Sequence, residues 1–287
     1  MNKYYLYYIM NIILVDSSYT SFHRFFATLR WFSLAKKDIY KEHKDDKNYD
    51  WSQNKEFIEK YSKMYLESII KLVKNKIYKD SKLIFCLDCP QCEIWRNDYH
   101  DDYKGGRIDL SEKHNFKPTF KYTYETLIPN LVKENENIFS IKIKEIEADD
   151  IIALCVKYIR IKHKKLHTYL ISGDQDFYQL GYDNLTFLDY KKKNSIEFTR
   201  EEAKQQLLLK IINGDSSDNI CSIFPKELKI SNKRKKEIRE SKEELKKYLS
   251  EYPVAYEIYK KNKILIDFKN IPEKYHKKVF KKVSKII

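Results

Sequence analysis

The sequence predicts an α/β fold, a mostly parallel central sheet with helices on both faces, followed by a smaller basic helical domain. Three observations predict it. Short apolar runs suited to buried strands recur along the first two thirds of the chain. Longer segments between them place apolar residues at i, i+3 and i+4, the period of a helix with one buried face. Beyond residue 225 the composition becomes dense in lysine. Alternation of the first two patterns is what a parallel sheet joined by crossover helices requires.

The elements follow in order. The opening "MNKYYLYYIMNIILVD" is apolar, but Asn11 interrupts it, no small-residue cleavage site follows, and it runs directly into Asp16. It therefore reads as a strand and not as a signal peptide, with "NIILVD" (11–16) as its clearest part. "KEFIEKYSKMYLESIIKLVKNKI" is the first strongly patterned helix. "KLIFCLD" (82–88), "IFSIKI" (138–143) and "HTYLISGD" (167–174) are further strands, with the helix "ADDIIALCVKYIRI" between the last two. "LTFLD", ending in Asp189, is a weaker fifth strand, and Asp189 reads as a strand cap. No run of 18 apolar residues occurs, so no membrane span and no membrane partner are expected.

At 287 residues, 42% hydrophobic and 15% aromatic, the chain can bury one large core, or one core plus a small one, which excludes a disordered protein. We place the division near residue 200, giving a core of 1–200 and a basic helical region of 201–287. The net charge is +14, and residues 225–287 hold 20 Lys or Arg against 9 Asp or Glu. Such a surplus suits a polyanionic partner, although a merely soluble lysine-rich surface, or an AT-rich genome favouring Lys, Asn, Ile and Tyr, would give the same composition. "CLDCPQC" spaces Cys86, Cys89 and Cys92 as an iron–sulfur or zinc loop would. No fourth Cys or His follows closely, and Cys86 lies inside an apolar run, so these thiols read as packing residues, and five reduced cysteines suit the cytosol.

In parallel sheets the site lies at the carboxyl edge of the strands. Asp16 ends the first strand and Asp88 the second; Glu147, Asp149 and Asp150 follow the third, Asp174 and Asp176 the fourth. Taken alone, the acids of "EADD" are what a helix start prefers. Seven acids on one edge go beyond that. In "IINGDSSDNI", Gly214 reads as a helix C-cap with Asp215 and Asp218 in the turn behind it. Carboxylates gathered this densely raise one another's pKa unless a cation joins them. The number exceeds what two-carboxylate glycoside chemistry needs. An all-oxygen set suits Mg2+ or Mn2+, and two such ions would serve phosphodiester hydrolysis. "WRNDYHDDYKGGR" interleaves Arg96, Lys104 and Arg107 with Trp95, Tyr99 and Tyr103. Such a run commonly means core aromatics and solvated cations, but beside an acidic edge Lys104 and Arg107 are read as steering phosphate, with Arg96 and Tyr103 as nucleic-acid contacts.

The order "LVDSS", "CLD…WRNDYHDDYKGGR", "EADD", "SGDQDF", "NGDSSDN" resembles the 5′-nuclease family of flap endonucleases and 5′-to-3′ exonucleases, from about residue 11 to about 280. "IWRNDY" and "LIDFKNIP" bring it nearest to the T-even phage ribonuclease H branch. The resemblance implies a PIN-like core and an enzyme using two Mg2+, with Mn2+ able to substitute, that removes RNA primers and 5′ flaps from replication or repair intermediates. It implies Asp16, Asp88, Glu147 and Asp149 as first-metal ligands with Asp150 in support, and Asp174, Asp176, Asp215 and Asp218 as a second-metal group, some acting through water. Lys104 and Arg107 match the family's scissile-phosphate pair, and residues of about 105–135 its arch over the 5′ strand. Implied partners are branched or nicked DNA and RNA–DNA hybrids with a 5′ end, and replication proteins such as a single-strand-binding protein; the implied location is cytoplasmic, in a host cell if phage-encoded. The chain departs from the family after the last acids, where a Gly-rich hairpin with a bound potassium ion is usual. Here a basic run, Lys233, Arg234, Lys235 and Lys236, stands instead and is read as gripping duplex by charge. Rival readings are an inactive nucleic-acid scaffold, which would not need so many mutually repelling acids, and a PIN-type ribonuclease, which is usually shorter and lacks the basic tail.

Overall fold

The computed structural model describes residues 11–105, 114–192 and 194–287. The expectation of a strand at residues 1–10 and the role given to Arg107 lie outside the described residues.

Five strands, β1 (Asn11–Asp16), β2 (Ser81–Leu87), β3 (Ile138–Lys142), β4 (Thr168–Ile171) and β5 (Leu185–Leu188), form one parallel sheet in the order β3-β2-β1-β4-β5. Both faces are covered, which is why the strands read as continuous apolar runs. Ile12, Leu14, Ile84 and Cys86 face one core, while Ile13, Val15, Leu83 and Phe85 face the other. The fourth strand is shorter than expected. Ser172 keeps one backbone bond to Leu188 of β5 while its hydroxyl turns to Asp16, and Asp174 caps the next turn.

Twelve α-helices complete the described fold: α1 (Ser17–Ala35), α2 (Lys37–His43), α3 (Lys55–Val73), α4 (Asn75–Lys79), α5 (Lys117–Tyr122), α6 (Ile128–Glu134), α7 (Ala148–Lys162), α8 (Arg200–Asn213), α9 (Asn232–Glu240), α10 (Lys242–Glu251), α11 (Pro253–Ile266) and α12 (Glu273–Ile286). The helix expected through Ile77 breaks at Lys74, whose φ of 72° ends α3 and redirects α4 toward the start of β2. Phe57, Tyr61, Tyr65 and Ile69 repeat every four residues along α3 and are fully buried with Phe25 and Phe32 of α1. On the opposite face α7 buries Ile151, Ile152, Leu154 and Cys155.

Within the segment expected as an arch, residues 117–134 run as α5, a π turn (Thr123–Leu127) and α6. Thr119, Thr123, Leu127 and Ile128 are buried on the core, and Thr123 Oγ1 lies 2.8 Å from Tyr61 Oη. Helices α8 to α11 close a small core of their own around Ile212, Ile223, Phe224, Ile238 and Tyr248. The last helix does not stay with them. Tyr275, Val279, Val283 and Ile286 of α12 return to the sheet and pack with α7. Among the described residues no helix is long and apolar enough to cross a membrane.

Candidate active site

From β1 the chain steps to β2 and β3 on one side, and from β4 to β5 on the other, so the order reverses at the β1/β4 boundary. A crevice opens at the carboxyl ends of the strands where such a reversal occurs. Asp16 sits there and also caps α1, its Oδ1 accepting from the Tyr19 N–H at 3.0 Å. Its Oδ2 accepts from Ser172 Oγ at 2.8 Å, joining the ends of β1 and β4. Asp88, just beyond β2, accepts from the Ala148 N–H at 2.8 Å, the first amide of α7, and from Ser18 Oγ at 2.5 Å. Helix N-termini thus fix both carboxylates. Glu147 stands at the N-cap position of α7 but makes no side-chain cap bond, which leaves its carboxylate for other partners.

Asp16, Asp88, Glu147, Asp149 and Asp174 line one cavity of about 240 Å3 together with Ser18, Tyr19 and Lys104. Burial, then Asp88, pushes the Asp16 carboxyl up to about 7. Burial raises Asp88 as well, and Asp149 is driven well above the carboxylate range by burial, then by Asp174 and Asp16. Lys104 reaches Glu147 as an ion pair from a backbone with φ of 62°, a conformation uncommon outside glycine. Among the described residues no three of these side chains converge on a single point. What speaks for a cation is the donor set: hard oxygens alone, buried, and mutually destabilised in their charged forms, the chemistry that Mg2+ and Mn2+ satisfy.

The remaining expected residues fall elsewhere. Arg96, read as a nucleic-acid contact, is 3% exposed. Its Nη1 donates to Glu147 at 3.0 Å and to Asp150 at 2.8 Å, its Nη2 to Asp150 at 2.7 Å, and its Nε to the Leu265 carbonyl at 2.8 Å. Burial opposes its charge, but Asp150, Tyr103 and Glu147 hold it firmly protonated. No phosphate can reach it. Asp150 in turn is fully buried, with both oxygens taken by Arg96 and one also by Trp95 Nε1, so it orients Arg96 and does not itself face the cavity. Tyr103 is likewise no stacking platform: it is 7% exposed, and its hydroxyl donates to Glu147 and Asp218.

Of the four acids expected as a second-metal group, Asp174, Asp176 and Asp215 lie near enough to act on one another's charge, while Asp218 is held apart against Tyr103. Asp174 lines the cavity, and Asp176 and Asp215 are bridged by Lys210 at 2.6 and 2.7 Å. Burial, then Asp174, raises Asp176 to about 6, whereas Lys210 and Ser217 overcome burial to pull Asp215 down. In the basic run, Arg234 pairs with Glu237 and Glu244 and ties α9 to α10, so a duplex phosphate would have to compete with those carboxylates for it. Lys235 lies over the Phe224 ring at 5.7 Å, Lys236 is 3.9 Å from Glu240, and Lys233 is exposed. Of the three thiols, Cys86 is in the sheet core beside Cys155, Cys89 packs with Ile94 and Tyr103, and Cys92 is exposed.

Two distant segments are stitched beside the cavity. His100 Nε2 lies 2.8 Å from the Asn219 carbonyl, the Asn219 amide donates to Asp102 at 2.6 Å, and the Lys104 N–H donates to the Asp218 carbonyl at 3.1 Å. The second of these segments turns at Gly214, φ 69°, where a Cβ would stand 2.3 Å from the Ile220 carbonyl oxygen.

Sequence reasoning missed Ser18, Tyr19, Ser172 and Lys210. The serines adjoin predicted acids and could have been suspected from that; Tyr19 is held by Asp189, a residue read as a mere strand cap, and lies across Gly173, where a Cβ would meet its ring at 2.6 Å. Tyr124 in the π turn reaches the site through Ser18 at 2.7 Å, a contact with no trace in local pattern.

Residues 11–210 match the family model of the 5′-3′ exonuclease N-terminal resolvase-like domain. The chain is 27% identical over 213 residues to ribonuclease H of Enterobacteria phage T4, covering 70% of this chain and 68% of that protein. Among solved structures it is similar to the T5 D15 protein co-crystallised with metal ions, with TM-score 0.64, 20% identity, and 96% and 99% of the two chains covered. It is similar also to the T5 D15 flap endonuclease in a pseudo-enzyme–product complex with DNA and metal ions, with TM-score 0.62, 20% identity, and 96% and 98% covered.

Proposed function

Given that this chain belongs to the 5′-3′ exonuclease family through its N-terminal resolvase-like domain, we propose that it is a divalent-metal-dependent 5′-nuclease that cleaves phosphodiesters in 5′ flaps and RNA primers of replication intermediates. The observation that carries the proposal is the cavity at the β1/β4 reversal, where five carboxylates and Lys104 face one space. Ribonuclease H of phage T4 and the DNA complex of the T5 flap endonuclease support the substrate class.

Asp16, Asp88, Glu147, Asp149 and Asp174 would hold the cations, which we propose to be two Mg2+. When bound, these supply Lewis-acid stabilisation of the charge developing on phosphate and a lowered pKa for water. The chain's own residues do the rest. Ser18 and Ser172 donate to Asp88 and Asp16 and, with the Ala148 and Tyr19 amides on the other oxygens, fix the orientation of each carboxylate. Arg96 pins Glu147 from behind. Lys104, paired with Glu147, would exchange that carboxylate for a phosphate oxygen as substrate enters. Lys233 and Lys236, on the exposed face of α9, would contact duplex phosphates.

The test is cleavage of end-labelled flap, nicked, blunt and RNA-primed duplexes, each with Mg2+ and with EDTA. Release of short 5′ products from flap and primed substrates, abolished by EDTA, is the expected result. Cleavage in EDTA, or none on any substrate, would overturn the proposal.

A further inference from the structure

A second hollow, of about 550 Å3, lies between α7, α8 and the segment Asp267–Lys269. It is within the size range of sites that take a ligand or a pair of anchoring side chains. Leu154, Leu180, Leu207 and Phe268 give it an apolar floor. Its end wall is built: Gln179 accepts from the Phe268 N–H at 3.1 Å and donates to the Ile266 carbonyl at 3.1 Å, and Phe268 stacks on Phe177.

Around this floor stand six cations, Lys157, Arg160, Lys164, Arg200, Lys204 and Lys269, against two acids, Asp183 and Asp267. Asp267 is buried and already accepts from the Lys269 N–H at 3.0 Å. Lys204 pairs with Glu201. Among the described residues Arg160, Lys164, Arg200 and Lys269 form no ion pair, and only Asp183, on the same wall, partly offsets the charge of Arg160. Arg160 lies over the Tyr182 ring at 4.7 Å, and burial followed by the nearby Arg200 charge disfavours its protonated form. Unpaired like charges around an apolar floor are stabilised by an occupant that is anionic at its edges and apolar at its centre.

From this we infer that the hollow docks an acidic peptide segment of a partner protein, with one or two large apolar side chains on the floor and flanking carboxylates on the arginines and lysines. Nucleic acid fits less well. Tyr182 is buried under Arg160, and Phe268 on the floor is already stacked on Phe177, so neither ring of the lining stands out as a platform for a base. The cations Arg160 and Lys164 stand at the end of the hollow nearest the amino edge of the sheet, where Asn184, just before β5, donates to the Lys164 carbonyl, and neither lines the carboxylate cavity, although Gln179 and Leu207 at the other end adjoin Asp176 and Lys210.

The experiment uses the full chain and a short fluorescein-labelled peptide of Asp and Glu around a central Leu-Phe pair, read by fluorescence anisotropy. The double substitution Arg160→Glu and Arg200→Glu, both outside the carboxylate cavity, should weaken binding at least ~10-fold, as should replacing Leu-Phe by Ser-Ser in the peptide. Cleavage of a minimal flap substrate and the melting temperature should stay unchanged. Equal binding of the Ser-Ser peptide would reduce the contact to unspecific charge and overturn the inference. So would displacement of the peptide by oligothymidylate of matched charge, accompanied by a fall in cleavage in the double variant, since the hollow would then belong to the substrate path.

Discussion

Arg96→Met tests whether that side chain is architecture or a nucleic-acid contact. The guanidinium is 3% exposed and makes four hydrogen bonds, three to carboxylates and one to the Leu265 carbonyl. Methionine keeps much of the volume and removes every donor. Asp150, fully buried, would retain only Trp95 Nε1, and Glu147 would lose the partner behind it. Breaking a buried ion pair in this way costs about 3–5 kcal/mol, with the orphaned carbonyl adding roughly 1–3 kcal/mol if water does not reach it. Since a domain of this kind holds about 5–15 kcal/mol in all, the variant should sit near the edge of stability. Urea denaturation followed by circular dichroism measures the loss. A double variant, Arg96→Met with Asp150→Leu, removes both charges and should recover about 2 kcal/mol or more relative to the single change, the sign of direct coupling. The reasoning fails if Arg96→Met lies within about 1 kcal/mol of wild type while duplex affinity drops and its salt slope falls by about 0.9, the signature of a lost phosphate contact.

Asp149→Asn and Asp174→Asn should each lower cleavage by orders of magnitude while the protein stays folded, and Asp149→Asn should raise the melting temperature measured in EDTA, because a neutral isostere relieves a carboxyl that burial and Asp174 destabilise. Wild-type turnover in either would refute the cation assignment. Asp16 has a folded pKa of about 7 against an ordinary 3.8, so its contribution to stability is full below about pH 4 and is lost as pH rises through 7; in EDTA the stability difference between wild type and Asp16→Asn should therefore shift against wild type from pH 5 to pH 8, and Mg2+ at pH 8 should stabilise wild type more than the variant. A pH-independent difference would show that the carboxyl is not perturbed. Replacing Lys233 and Lys236 with Ser should flatten the log K against log salt slope by up to about 1.8 and raise KM with kcat unchanged, whereas Arg234→Ser should instead loosen α9 from α10 and lower the melting temperature. Lys210→Met should destabilise the metal-free protein by leaving Asp176 and Asp215 facing each other, and should enlarge the melting shift produced by Mg2+; an unchanged shift would mean the lysine does not compete for those carboxylates.

The sheet was legible because a strand buried on both faces writes a continuous apolar run, and each acid stood where such a run stopped. That single regularity placed Asp16, Asp88, Glu147, Asp149 and Asp174 on one edge, and they do line one cavity. What pattern could not reveal is which charges neutralise each other. "WRNDY" offers Arg96 as a cation for nucleic acid, yet Arg96 finds its partners 51 and 54 residues away and is buried by them. Asp150 differs from Asp149 by one position and therefore by about 100° around α7, enough to turn one toward the cavity and the other toward Arg96. Lys210 sits in the helix before the turn that holds Asp215, and its claim on Asp176 depends on how α8 packs against the turn after β4. Long side chains make such choices only in three dimensions.

The stitching of His100, Asp102 and Lys104 to Asp218 and Asn219 has a bearing on how this protein can be altered by recombination. Segments more than a hundred residues apart in the chain share one set of hydrogen bonds, so neither is an exchangeable module. A chimera that imports one of them from a relative would bring a loop shaped for a different counterpart, and would displace Lys104 and Tyr103 together even with the acids of β1, β2 and α7 still in place. Grafting both segments at once keeps the seam whole, which makes the pair, and not either loop, the smallest unit that can be transplanted into this scaffold.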